Sequence, residues 1–210
     1  MANLEEKNEK GKLIVVSGPS GSGKGTVLAE LRKLGEYKFS ISATTRTPRE
    51  GEREGIDYYF LSEKDFSKKM SNGEMLEYVA YSGNYYGTPK SPLEDFIKDG
   101  HDVILEIEVR GALTVKEKFP EAVMIFLVPP THSELEKRLR ARGTETQRSI
   151  KKRLETADNE IRSIKNYGYL VKNESDMQKK AAEEINFIIE AEKNKITGEK
   201  AAKFLKDYFM

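Results

Sequence analysis

Leu13-Ile14-Val15-Val16-Ser17-Gly18-Pro19-Ser20-Gly21-Ser22-Gly23-Lys24-Gly25-Thr26 is the stretch that decides the fold class of this chain. The first four residues form an apolar, β-branched run without alternation. Such a run reads as a strand buried on both faces, as in parallel sheets. Gly18 to Gly25 then forms a glycine-rich turn. Val27, Leu28, Leu31 and Leu34 recur at helical spacing, with Gly35 placed to stop the helix. The order is strand, glycine loop, helix. Gly18 to Lys24 also fits the spacing GxxxxGK. Its glycines let backbone N–H groups converge on phosphate oxygens at a helix N-terminus, where the helix dipole favours anions. Lys24 adds a mobile cation that can reach the β- and γ-phosphates. Gly18, Pro19, Ser20, Gly21, Ser22, Gly23, Lys24, Gly25 and Thr26 are therefore expected to hold nucleotide phosphates. One position departs from the usual pattern. Gly25 follows the lysine and the hydroxyl comes one residue later, at Thr26, so no side chain is assigned to a metal ion. The loop by itself does not name a reaction, because ATPases, GTPases and kinases share it.

Further along, Val103 to Glu108 and Val123 to Val128 read as two more core strands, and Tyr169-Leu170-Val171 as a last short one. Helices separate them. Ser91-Pro92 opens one, with Pro at the first helical position and Gly100 past its end. Gly111 to Lys118 makes the next. Thr131 with Glu134 is a capping box leading a helix to Arg142, which Gly143 breaks. A long helix follows from about residue 145 to Ile164, with Ile150, Leu154, Ala157, Ile161 and Ile164 on one stripe. Residues 176–210 read as helical. Strands alternating with helices predict an α/β fold with a parallel sheet and right-handed crossovers. Residues 41–90 differ. Short β-like pieces at Phe39–Ile41, Asp57–Leu61 and Met75–Val79, and a short helix opened by Ser62 with Asp65, suggest a small, mostly β insertion.

Composition narrows the function classes. The 210 residues suit one sizeable domain with room for inserted subdomains. There is no cysteine, hence no disulfide, no thiolate metal site and no cysteine nucleophile. The formal net charge is +1 with 34% charged residues. A nucleic-acid binder relying on counterion release is usually more basic. The N-terminal MANLEEKNEKGK has no apolar core for a signal peptide, and no run approaches the roughly 20 apolar residues of a membrane span. The expectation is a cytoplasmic protein with a flexible N-terminal arm, without nucleic-acid or membrane partners.

Several polar residues could define a substrate. Arg46 and Arg49 lie three apart across Pro48, which suits forked binding of a second phosphate group; a solvated turn is the ordinary alternative. Tyr85 and Tyr86 could hydrogen-bond that phosphate or pack a hairpin. Glu77 and Glu108 are carboxylates on otherwise apolar stretches, and by alternation Glu106 is placed as well as Glu108. Arg138 and Arg142 share a helix face, and Arg148 and Arg153 follow on the next helix. A solvated basic face is the ordinary reading. Sparse acidic partners and the Gly143 hinge favour cations that arrive around a transferred phosphoryl group.

Taken in order, GPSGSGKGT, SATTRTPREGE, SGNYYGT, ILEIEVRGA, FLVPP and RLRARGTE resemble the guanylate kinase family over about residues 12–190. No single block carries this; six in order do. The resemblance implies a P-loop NTPase-type parallel sheet flanked by helices, with core segments 12–40, 91–137 and 159–190. It implies a GMP-binding insertion at 41–90 and a lid at 138–158. Residues 1–11 would be an arm and 191–210 a helical extension. The implied reaction moves the γ-phosphate of ATP to GMP, giving ADP and GDP, with Mg²⁺. Arg46, Arg49, Tyr58 and Tyr86 would hold the GMP phosphate. Ser42, Glu77, Thr88 and Glu108 would read guanine, Thr88 and Glu108 standing where some members carry serine and aspartate. Asn173 would lie near adenine. Lys24, Arg46, Arg138, Arg142 and Arg153 would serve the transfer. ATP and GMP are the expected partners, and the oligomeric state stays open. Three rivals are disfavoured. An inactive protein-binding module would usually lose the loop residues that stand intact here. A kinase for another monophosphate would not need the TTRTPR and SGNYYG blocks. A GTPase would show Asn-Lys-x-Asp.

Overall fold

The computed structural model describes residues 10–81, 83–141 and 147–210, the side chain of Glu199 excepted. β1 (Leu13–Ser17), α1 (Lys24–Leu31) and β2 (Lys38–Phe39) open the chain. β3 (Ala43–Thr44), β4 (Tyr59–Phe60), α2 (Glu63–Ser71), β5 (Met75–Tyr81) and β6 (Asn84–Pro89) come next. They are followed by α3 (Lys90–Lys98), β7 (Val103–Glu106), α4 (Val109–Lys118), β8 (Val123–Val128) and α5 (His132–Arg140). α6 (Gln147–Ile161), β9 (Tyr169–Lys172), α7 (Gln178–Asn194) and α8 (Gly198–Phe209) complete the described elements.

Five strands pair in the order β2-β7-β1-β8-β9, all parallel. β1 is central and buried at every position. Its period of two divides its side chains between two layers. Ile14 and Val16 pack with Val27, Leu28 and Leu31 of α1 and with Ile185 and Ile189 of α7. Leu13 and Val15 pack on the other side with Leu93 of α3 and Ala112 and Val115 of α4. An unalternating apolar run is what a strand covered on both faces requires. A second sheet, ordered β4-β3-β6-β5, folds around α2, where Phe66 is packed with Ala43 and Met75. β3 and β4 run parallel; the other two pairs are antiparallel.

Several boundaries differ from the sequence reading. α1 stops at Leu31, and Leu34 is left 38% exposed. The chain tightens there, with Lys33 and Leu34 N–H bonding carbonyls three residues back. α3 begins at Lys90, so Pro92 is its third residue; the first turn has no intrahelical use for that N–H. β7 ends at Glu106, and Glu108 caps α4, which starts at Val109. A 3₁₀ turn at Arg162–Asn166 takes over from α6 before Ile164. The C-terminal helical stretch is two helices rather than one, divided at Lys195 to Thr197. Both capping residues hold: the Ser62 and Thr131 hydroxyls accept from the N–H of Asp65 and Glu134.

Candidate active site

Ligands of open parallel sheets bind beyond the carboxyl ends of the strands. Here those ends deliver Gly18 after β1, Glu106 and Glu108 after β7, and Asn173 after β9. The loop from Gly18 turns into α1 through Gly21 and Gly23, at φ 89° and 83°. These left-handed glycines aim successive N–H groups inward, which makes an anion nest. No side chain caps α1, so its N-terminal N–H groups face the loop's hollow. Lys24 folds back, its Nζ donating to the Gly18 carbonyl at 2.8 Å. The Thr26 hydroxyl donates to the Gly23 carbonyl at 2.8 Å.

Three carboxylates lie within the field of Lys24. Partial burial pushes Glu106 and Glu108 above the usual carboxylate range, and Lys24 opposes the rise in both. Both side chains still reach solvent, so they line an open recess rather than a sealed interior. Glu160 of α6 is also pushed up by burial and by Glu108, while Lys24 and the Ser20 amide oppose. Glu160 has no place in the sequence reading, where alternation leaves Glu106 and Glu108 equal and the family resemblance alone selects Glu108.

The lid-side helices are tied to the loop. Arg138 donates from Nε to Glu134 at 2.9 Å and from Nη2 to the Asn173 carbonyl at 2.9 Å. Its Nη1 stands 3.5 Å from the Ser22 carbonyl. Asn173 is buried and donates from Nδ2 to that same carbonyl at 2.8 Å. Among the described residues its Oδ1 has no hydrogen-bond partner. Arg153 of α6 donates to the Ser20 hydroxyl. Glu134, which also accepts from Ser175, corrects the expectation that acidic partners are sparse on this helix face. Arg142 lies outside the described residues. Gly23, Thr26, Arg138, Asn173, Ser175, Asp176 and Gln178 line an open cavity of about 270 Å³ next to the loop.

On the small sheet, Arg46 lies between Glu52 and two aromatic rings. Its Nη2 and Nη1 reach the two Glu52 oxygens at 2.9 and 3.0 Å, and Nη1 also donates to the Thr47 carbonyl at 2.8 Å. The Tyr58 and Phe60 ring centroids lie 5.5 and 6.0 Å from its guanidinium carbon. Tyr86 meets Tyr58 edge-on at 6.2 Å and acts, after Glu52, to raise the pKa of the Arg46 guanidinium. Burial, and then the charge of Glu106, hold the Tyr58 phenol above its ordinary range. Glu106 thus acts on Tyr58 and is itself acted on by Lys24 and Arg32. Of the tandem tyrosines, Tyr85 stacks on Phe66 at 5.5 Å and belongs to the small core. Arg49 is exposed, its backbone N–H bonded to Glu52 at 2.8 Å.

Glu77 and Thr88 face each other across β5 and β6. Glu77 is 3% exposed, and its Oε1 accepts the Thr88 hydroxyl at 2.8 Å. Burial pushes its carboxyl up to about 6; Thr88 and Lys118 oppose the rise and Glu108 adds to it. Ser42, half-buried beside β3, accepts the Tyr59 N–H with its carbonyl at 2.9 Å. The structure therefore gathers Arg46, Tyr58 and Tyr86 in one cluster and Glu77, Thr88 and Glu108 in another. Glu52, absent from the sequence reading, stood inside the SATTRTPREGE block; its pairing has no local periodicity to reveal it.

Residues 10–192 match the guanylate kinase family. The chain is 49% identical over 188 residues to guanylate kinase of Clostridium tetani, covering 90% of this chain and 89% of that one. It is 48% identical over 190 residues to guanylate kinase of Clostridioides difficile, covering 90% and 92%. The crystal structure of guanylate kinase from Anaplasma phagocytophilum superposes with a TM-score of 0.71 at 33% identity, over 90% of this chain and 89% of that one. With its phosphate loop intact at the head of a parallel sheet, the chain belongs to the guanylate kinase family of nucleoside monophosphate kinases.

Proposed function

We propose that this chain transfers the γ-phosphoryl group of ATP to GMP, forming ADP and GDP. The observation that carries the reading is the buried Glu77–Thr88 pair on the small sheet of a chain whose parallel sheet carries an intact phosphate loop. An ionised carboxylate only accepts hydrogen bonds, and guanine offers two donors on one edge, the N1 proton and the N2 amino group. Adenine has no amino group there and its N1 is an acceptor, so it would set lone pair against lone pair. Ser42, Thr88 and Glu108 complete the base site in this reading. Arg46, Arg49, Tyr58 and Tyr86 hold the acceptor phosphate. ATP lies with its phosphates on Gly18 to Thr26 and its base in the cavity beside Asn173. Residues 41–90 act as the GMP-binding insertion and 138–158 as the lid.

The acceptor needs no general base. A phosphate monoester has a second pKa of about 6 and is mostly dianionic at neutral pH. Neither histidine is needed: His132 pairs with Asp158 at 3.1 Å, and His101 lies against the Phe96 ring. An acceptor phosphate oxygen attacks the γ-phosphorus in line, the bond to the β-phosphate bridging oxygen breaks, and ADP leaves. The obstacle is the repulsion between two polyanions. Lys24, Arg46, Arg138 and Arg153 offset it and stabilise the charge of the transition state. Arg142 belongs to the same proposal by resemblance. Mg²⁺, when bound, would supply neutralisation of the phosphate charge. Among the described residues no group of three or more acidic, histidine or cysteine side chains could hold a metal ion. Glu106 and Glu108, in the field of Lys24, are the side-chain oxygens that would face such an ion. Among the described residues no helix is long and apolar enough to cross a membrane. Cytoplasmic residence is part of the same proposal.

The test is a coupled assay of ADP release with ATP, Mg²⁺ and each of GMP, AMP, CMP and UMP. Turnover with GMP, well above the others, is expected. No turnover with GMP, or preference for another monophosphate, overturns the reading.

A further inference from the structure

Gly111 stands in the first turn of α4, whose ten residues run Val109–Lys118. Inside a helix, glycine is less favourable than alanine. Gly111 has no positive φ that would demand a glycine. The reason lies across the packing interface. A Cβ at Gly111 would sit 2.4 Å from Glu77 Oε2 and 3.0 Å from Glu77 Cδ. Carbon and oxygen atoms that are not bonded do not approach so closely without something moving.

Glu77 has little room to move. Its Oε1 is held by the Thr88 hydroxyl at 2.8 Å. The backbone before it is anchored to the far end of the same helix, where Lys118 Nζ donates to the Leu76 carbonyl at 2.5 Å. The residue is 3% exposed. α4 also carries no side-chain cap and no acidic residue in its first turn. Glu77, from another element, brings a second carboxylate to that end beside Glu108 at the cap position, where the helix dipole favours negative charge.

We propose that Gly111 is a positioning residue for base selection. Its missing side chain lets the Glu77 carboxylate lie against the first turn of α4, in the plane from which it meets the guanine edge. This rests on the reading that Glu77 recognises guanine.

Steady-state kinetics on the full chain test it, with Gly111→Ala and Glu77→Gln compared side by side. Displacing a substrate-positioning group by about 1 Å can cost about 10²-fold. Gly111→Ala is therefore expected to raise KM for GMP by about 10- to 100-fold and to narrow the GMP-over-AMP ratio of kcat/KM. KM for ATP is expected to stay within about twofold, because the phosphate loop is untouched. The pH at which KM for GMP begins to rise is also expected to move, since the carboxylate changes surroundings. Unchanged discrimination in Gly111→Ala, alongside lost discrimination in Glu77→Gln, overturns the positioning role and leaves the guanine reading intact. Unchanged discrimination in Glu77→Gln removes the guanine reading and the inference with it. Should Gly111→Ala fail to fold, Gly111→Ala combined with Glu77→Ala decides. The clash is with that carboxylate, so the pair is expected to melt at or slightly above the temperature of Glu77→Ala alone. A double variant that still fails to fold overturns the inference.

Discussion

Glu52 grips Arg46 with both carboxylate oxygens, at 2.9 and 3.0 Å, and accepts the Arg49 backbone N–H at 2.8 Å with one of them. A carboxylate beside a proposed phosphate site works in two directions. It adds negative charge near an anion, yet it fixes the plane of a guanidinium whose fork must match a phosphate. Arg46 is 14% exposed on its side chain, so its orientation is set by neighbours rather than by water. Orientation is the larger effect where the transition state demands alignment. Glu52→Ala is expected to lower kcat by about tenfold, with a smaller change in KM for GMP. Steady-state kinetics check this, and an unchanged kcat would mean that Arg46 finds its place unaided.

Lys24 is folded onto the Gly18 carbonyl, poised at the mouth of the anion nest. Removing one preorganised donor to a developing charge typically costs about 10²–10³ in kcat. Lys24→Met is expected to lose at least that much while calorimetric GMP binding changes by less than about twofold. Near-normal turnover would remove Lys24 from the transfer step.

The raised carboxyl of Glu77 makes two pH-dependent predictions. A protonated carboxyl offers guanine one acceptor fewer, so KM for GMP is expected to rise as pH falls through about 6. The phosphate of GMP titrates nearby, and Glu77→Gln isolates the protein's share, because its profile keeps only the ligand's own step. For stability, the folded value of about 6 lies above the ordinary 4.5. The group's favourable contribution is therefore complete below pH 4.5 and is lost as pH rises through about 6. The shift is worth about 2 kcal/mol. Urea unfolding is expected to show Glu77→Gln gaining on the parent chain by about that amount between pH 4 and pH 7.5. A constant difference across that range would show Glu77 to be unperturbed.

Asn173 ties β9 to the phosphate loop through the Ser22 carbonyl at 2.8 Å, and its own carbonyl holds Arg138. Losing a buried partner of this kind costs about 1–3 kcal/mol. Asn173→Ala is expected to lower the melting temperature and to raise KM for ATP by about fivefold or more, with KM for GMP nearly unchanged. Equal effects on both substrates would point to general loosening rather than to the ATP side.

Much of this protein is legible along the chain. The apolar run of β1, the glycines after it and the spaced leucines of α1 are local patterns, and a buried parallel strand feeding a phosphate nest follows from them. The hydroxyls of Ser62 and Thr131 mark helix starts because a cap bonds an N–H only three residues on. Alternation could not choose between Glu106 and Glu108, since both share a parity. Only the sheet showed that β7 ends at the first and that the second caps α4. The Glu77–Gly111 approach, the Arg138–Asn173 bond and the Asn173–Ser22 bond join segments far apart in sequence. Local pattern records which side chains share a strand or helix face. Which faces meet, and which glycine must stay bare to let a carboxylate in, is decided when strands take their order in the sheet and the helices close over them.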